Sequence, residues 1–133
     1  MRIRNCWRIV LCAMLLAIPA CSGGDAASAP EVITADELAA EIAAGNPPII
    51  LDVRTEEEFA AGHIPGAINI PHTELTARLD ELPADHQSPI VVHCQSGRRA
   101  EAAMGMLHDA GFAQIIDLDG DMAAWREGNH PVE

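Results

Sequence analysis

The segment Ile90-Val91-Val92-His93-Cys94-Gln95-Ser96-Gly97-Arg98-Arg99-Ala100 changes character twice within eleven residues. Ile90 to His93 is rich in β-branched side chains, the composition of a strand buried on both faces. From Ala100 onward, apolar residues fall at Ala103, Met104, Leu107 and Ala110, the spacing of one helix face, and Gly111 stands where a helix stop is expected. Between strand and helix lies a tight loop with one cysteine, one glycine and two arginines. A loop of this kind aims backbone N–H groups and the positive end of the helix dipole into one small volume. Cys94 beside Arg98 and Arg99 thus stands in the electropositive surroundings that reactive cysteines use, and the thiolate is the nucleophile. A cysteine after a buried strand can equally be a small core residue. Two arginines and a glycine within six residues of it serve no packing purpose, which favours the reactive reading. On an alternating strand His93 points to the face opposite Cys94, so it reads as a core or supporting residue and not as a general base.

Outward from this segment the chain alternates short strands and helices. Val32-Ile33 is a short first strand, and Thr34 with Glu37 forms a capping box that opens a helix through Leu38 and Ile42, stopped by Gly45. Pro47-Pro48 forces an extended entry into the apolar run Ile49 to Val53, a central strand. Thr55 and Glu58 repeat the capping-box spacing before a short helix that ends at Gly62. Ala67 to Ile70 is a further strand. Leu75, Leu79 and Leu82 stand at i, i+4 and i+7, predicting a helix ended by Pro83. Gln114 to Leu118 gives a last strand, and Met122 to Arg126 a last helical turn or two. The pattern predicts a single α/β domain over residues 32–133, with a mostly parallel central sheet of about five strands and helices on both faces. Such sheets place their sites outside the carboxyl ends of the strands, where Cys94 falls.

Residues 1–20 are unlike the rest. Arg2, Arg4 and Arg8 form a positive n-region, followed by an apolar run from Ile9 to Ile18 that is short for a bilayer span. Ile18-Pro19-Ala20-Cys21 resembles the lipobox of bacterial lipoproteins, although Pro19 departs from the small or aliphatic residue usual there. The resemblance implies a signal peptide over 1–20, cleavage before Cys21, and lipid on Cys21. A plain secretory signal and an uncleaved anchor are the alternatives. Residues 21–31, rich in Gly, Ala and Ser, read as a flexible tether. The expected location is periplasmic, anchored to a membrane through lipid alone, and Ser22 after the lipid cysteine favours the outer membrane.

The whole chain carries eight arginines, no lysine and twenty acidic residues, a formal charge of −12. Without residues 1–20, which hold three of the arginines and no acid, the remainder has five against twenty, a charge of −15. So acidic a surface repels phosphate backbones, and the chain has no tyrosine for base stacking, so nucleic acid is not an expected partner. Cys6 and Cys12 leave with the signal and Cys21 takes lipid, so Cys94 is the only free thiol and no intramolecular disulfide can form. The six histidines show no paired zinc spacing, and no metal or cofactor is expected.

Three motifs carry a family resemblance. Leu51-Asp52-Val53-Arg54, then Glu58-Phe59, then Gly62-His63-Ile64-Pro65-Gly66-Ala67 resemble the first signature of the rhodanese (thiosulfate sulfurtransferase) domain. Cys94-Gln95-Ser96-Gly97-Arg98-Arg99 is similar to that family's active-site loop, Cys-x-x-Gly-x-Arg. Gly120, Met122 and Trp125, with the closing Pro131-Val132-Glu133, resemble its C-terminal helix and end. The likeness spans residues 32–133 and is to the single-domain members. It implies that Cys94 attacks the sulfane sulfur of a small anionic donor such as thiosulfate, holds it as a persulfide, and passes it to a thiol or cyanide-like acceptor. Gln95, Ser96, Gly97, Arg98 and Arg99 are then the substrate-binding residues, and Asp52 helps to hold the loop. A structural ion pair or capping network is expected for Arg54 with Glu58, and His63 is expected to tie down the turn Gly62–Gly66. Where many members have Gly-Gly before the last helix, this chain has Gly120-Asp121, with Asp117 and Asp119 upstream. An acidic cluster bordering the pocket would oppose anionic donors.

Two other functions fit parts of the pattern. Phosphatases and arsenate reductases of the same fold place their arginine after five intervening residues, whereas Cys94 to Arg99 has four and position 100 is alanine. A shorter loop suits one sulfur atom better than a tetrahedral oxyanion. The other alternative is a non-catalytic lipoprotein module that binds a partner protein, and the presence of Cys94 weighs against it.

Overall fold

The computed structural model of the chain describes residues 31–82 and 85–133. The signal-like segment, Cys21 and the tether up to residue 30 lie outside the described residues. Five strands form one sheet: β1 (Glu31–Ile33), β2 (Ile49–Asp52), β3 (Ile68–Asn69), β4 (Ile90–His93) and β5 (Ile115–Leu118), in the order β1-β5-β4-β2-β3. Every pairing is parallel. Among the described residues the α-helices are α1 (Ala35–Ala43), α2 (Glu56–Ala60), α3 (Arg98–Asp109) and α4 (Asp121–Glu127).

Alternation along the strands divides the core into two layers. Leu51, Val53, Ile90, Val92 and Cys94 point to the face covered by Ala100, Ala103 and Leu107 of α3 and by Leu75, Leu82 and Phe112. Ile50, Val91, Ile116 and Leu118 point the other way, against Leu38 of α1 and Met122 and Trp125 of α4. The sheet is thus buried on both faces, which is why its strands read as continuous apolar runs. β4 is the central strand, flanked by β2 and β5.

Both predicted capping boxes form. The Thr34 side chain accepts from the Glu37 N–H while Glu37 reaches back to Thr34, and Thr55 with Glu58 does the same at α2. One predicted element does not form. Leu75 and Leu79 open two 3₁₀ turns, Leu75–Ala77 and Leu79–Glu81, Leu82 follows the second in an extended conformation, and no α-helix forms. Arg78 between them has φ −122° and ψ 20°, outside the helical region. Its guanidinium reaches Glu74 at 2.6 Å and Glu81 at 2.7 Å. Leu75 and Leu82 still reach the core. Two short turns therefore satisfy the same burial that an α-helix would.

The C-terminal residues pack onto the turn after α2. The backbones of His63 and Glu133 exchange hydrogen bonds at 3.1 and 3.0 Å, and Trp125 Nε1 donates to the Pro131 carbonyl at 2.8 Å. His63 stacks on Phe59 with ring centroids 3.6 Å apart and places Nδ1 3.0 Å from the Phe59 carbonyl, so it does tie down that turn.

Candidate active site

Cys94 follows the last residue of β4 and is 1% exposed. The chain then turns through Gln95, Ser96 and Gly97 into α3, whose first helical residue is Arg98 and not Ala100. Gly97 has φ +100°, a conformation that L side chains rarely adopt, and this lets the loop close in so few residues. The Gly97 N–H donates to Cys94 Sγ at 3.1 Å. The first N–H groups of an α-helix have no partner within the helix, and α3 begins directly after this donor. One backbone donor of the loop, the Gly97 N–H, thus stands at the sulfur.

A second brace comes from α4. Asp121 accepts the Cys94 N–H on Oδ1 at 2.7 Å, while the N–H groups of Met122 and Ala123 donate to the carbonyls of Cys94 and Gln95 at 3.1 and 3.3 Å. Asp121 is 4% exposed and has φ +55°. The acidic cluster read from the sequence is thus divided. Only Asp121 of the three contacts Cys94. Asp119 is exposed, with its N–H bonded to the Ile33 carbonyl, and Asp117 is half-buried on β5. Burial, and next the Asp121 charge, push the Asp117 carboxyl above its ordinary range.

The arginines part ways. Arg98 is exposed. Arg99 is gripped by Glu58 in a two-point contact, Nη1 to Oε2 at 2.6 Å and Nη2 to Oε1 at 2.9 Å. Arg99 in turn holds the Glu58 carboxyl down to about 2. The Arg99 guanidinium is raised above its ordinary range, chiefly by the Glu58 carboxylate. Arg54, expected to pair with Glu58, instead pairs with Asp52: Nη2 to Oδ2 is 2.7 Å and Nε lies 3.0 Å from both carboxylate oxygens. This pair is fully buried, and Arg54 also donates to the Gly62 carbonyl at 3.0 Å. Burial decides the exchange. A guanidinium under the sheet end needs its partner in the same layer, whereas Glu58 faces outward toward α3.

His93 lies behind the loop, on the opposite face from Cys94, wholly buried. Its Nδ1 is 3.1 Å from the Cys94 carbonyl and its Nε2 is 3.7 Å from Asp52 Oδ2. Burial holds the imidazole below its ordinary 6.5, against the opposing pull of Asp52. It supports the loop backbone and does not face the sulfur. Sequence spacing did not reveal the Glu58–Arg99 clamp or the Asp121–Cys94 contact. The one available signal was the aspartate at position 121 itself, a non-glycine residue just after a turn glycine.

A family model described as a rhodanese-like domain matches residues 34–128. A sulfurtransferase of Allochromatium vinosum is 30% identical over 100 residues, covering 75% of this chain and 92% of that protein. An HTH-type transcriptional regulator of Mycobacterium tuberculosis is 41% identical over 121 residues, covering 89% of this chain, which spans only 52% of the regulator's length. Among solved structures, that of the Alr3790 protein from Anabaena superposes with a TM-score of 0.70 at 30% identity, covering 76% of this chain and 81% of that one.

Proposed function

The chain belongs to the rhodanese-like domain family, and from that membership we propose that it is a sulfurtransferase working through a persulfide on Cys94. The observation that carries the reading is the donation of the Gly97 N–H to Cys94 Sγ at 3.1 Å, at the carboxyl end of the central strand. In the first step the Cys94 thiolate bonds to the sulfane sulfur of a donor such as thiosulfate. The donor's S–S bond breaks and sulfite leaves with the electron pair. In the second step an acceptor nucleophile, a thiol or cyanide, takes the outer sulfur and returns Cys94 as thiolate. Both steps need negative charge held on one or two sulfur atoms, which the loop N–H groups supply without moving. Gln95, Ser96 and Gly97 frame the sulfur, Arg98 draws anionic donors in, and Arg99 fixes the start of α3 against Glu58. Asp52, Arg54 and His93 hold the loop from beneath.

The phosphatase alternative gains nothing from this geometry, because the loop closes on the sulfur itself. The test is turnover with thiosulfate and cyanide. Wild-type protein is expected to make thiocyanate, and Cys94→Ser to make none, since an alkoxide is far harder to form and cannot carry sulfane sulfur. A Cys94→Ser protein with wild-type turnover would overturn the reading.

Export and lipid attachment at Cys21 complete the proposal, supported by the residue pattern of positions 1–21. Expressed in a bacterial host, the protein should partition with membranes, and Cys21→Ala should release it or stall its processing. Unmodified wild-type protein found only in the soluble periplasm would contradict the anchor.

A further inference from the structure

We propose that Asp121 positions Cys94 and selects its donor, favouring sulfane compounds of low charge, of the alkyl persulfide class, over the thiosulfate dianion. This deepens, and rests on, the sulfur-transfer reading of Cys94.

The Asp121 carboxylate touches both ends of the loop that holds the sulfur. Oδ1 accepts the Cys94 N–H at 2.7 Å. Oδ2 lies against Gly97, where a Cβ would stand 3.2 Å from it. Gly97 is also the residue whose N–H reaches Sγ. The backbone nitrogen and sulfur of one cysteine are about 3 Å apart, so the carboxylate lies within about 6 Å of the nucleophile. The residue is held there at a backbone cost, since φ +55° is a conformation that suits Gly, Asn and Asp best.

The cations nearest the loop are paired, apart from Arg98, while Asp117, Asp119 and Glu101 add negative charge on the Asp121 side. Arg99 is matched by Glu58 and Arg54 by Asp52. Among the described residues Arg98 is the remaining cation of the loop, and it is exposed to solvent and screened. Asp121 is 4% exposed and has no cationic partner among the described ion pairs. A donor's second negative charge therefore meets a buried carboxylate that has no ion-pair partner among the described residues. The donor's outer charge lies beyond the sulfane sulfur, about 8 Å from the carboxylate, where at an effective dielectric between protein and water the repulsion amounts to about three- to tenfold in rate.

An alkyl persulfide avoids it. The Cys94 thiolate bonds to the outer sulfur, the donor's S–S bond breaks, and the thiolate RS⁻ leaves with the electron pair and takes a proton from water. The reaction is an exchange, with no external oxidant or reductant.

Asp121→Asn separates charge from position, because the amide oxygen still accepts from Cys94 and asparagine tolerates the backbone angle. The probes are thiosulfate and a low-molecular-weight alkyl persulfide. In Asp121→Asn the kcat/KM ratio of thiosulfate to persulfide should rise by about three- to tenfold, less at high salt than at low. Asp121→Ala, which also removes the acceptor, should use the persulfide less well than Asp121→Asn. Asp109→Asn, an equal charge change on an exposed side chain at the far end of α3, should not shift the ratio. An unchanged ratio in Asp121→Asn, or an equal shift in Asp109→Asn, overturns the proposal.

A second measurement works on the wild type and does not depend on sulfur transfer. Cys94 should discriminate against anionic iodoacetate relative to neutral iodoacetamide more strongly in the folded protein than after unfolding. Equal discrimination in both states overturns the proposal even if Asp121→Asn does not fold. If alkylation shows the bias but no donor loads Cys94, the sulfur-transfer reading fails while the charge assignment stands.

Discussion

Asp52 and Arg54 show what a buried pair asks of its surroundings at the scale of single residues. Each is fully enclosed, and the guanidinium donates through Nε and Nη2 to Asp52 and through Nη2 to the Gly62 carbonyl. Arg54→Leu would strand the Asp52 carboxylate without its partner beneath the Cys94 loop. The expected loss is about 3–5 kcal/mol, read as a fall in the denaturant midpoint. Asp52→Asn/Arg54→Leu should recover much of that loss, and a double variant no better than the single one would contradict the desolvation argument. His93 gives a pH test. Its folded imidazole is held below 6.5 by burial, so as pH falls past about 6.5 the unfolded chain takes a proton that the folded chain refuses. The stability contributed is complete above that pH and declines below it. His93→Asn should flatten the dependence of unfolding free energy on pH between about 5 and 7. An unchanged slope would remove His93 as its source.

Among elements, the decisive contact is the clamp between α2 and α3. Glu58 serves two helices at once: Oε2 accepts from the Thr55 N–H at 3.1 Å to close a capping box, and both carboxylate oxygens hold Arg99. With its carboxyl at about 2, the clamp is present above the ordinary carboxylate range, near 4.5, and is lost as pH falls through about 2. The partners are about one-third exposed, which limits the pair to at most about 1 kcal/mol. A double-mutant cycle on Glu58→Gln and Arg99→Ala should return a coupling of that size, and additive losses would argue against the clamp. Local elements were largely legible from spacing, because caps and helix faces are set by residues three or four apart. The clamp was not, since 41 positions separate its partners and only the docking of α2 beside α3 brings them together. The same holds for Cys94 and Asp121, 27 positions apart. The leucine spacing at 75, 79 and 82 misled for a related reason: it specifies which residues turn inward, and two 3₁₀ turns carry Leu75 and the following Leu82 into the core without a helix.

Across the whole molecule, the parallel sheet brings the carboxyl ends of β2, β4 and β5 to one side, so that three separate sequence motifs meet around the Cys94 loop. Asp52 and Arg54 leave β2, Cys94 leaves β4, and Asp121 follows β5. That convergence was readable as a fold, since alternating strands and helices imply it. Which side chains would touch was not, because it depends on twist and helix docking that spacing does not encode. The central claim is that this side of the sheet holds sulfur on Cys94. Its most direct test is the intact mass of the protein after incubation with thiosulfate or an alkyl persulfide, followed by peptide mapping. One added sulfur atom on Cys94, removed by cyanide as thiocyanate and absent in Cys94→Ser, is the expected result. No mass gain with either donor, or the same gain in Cys94→Ser, would contradict it.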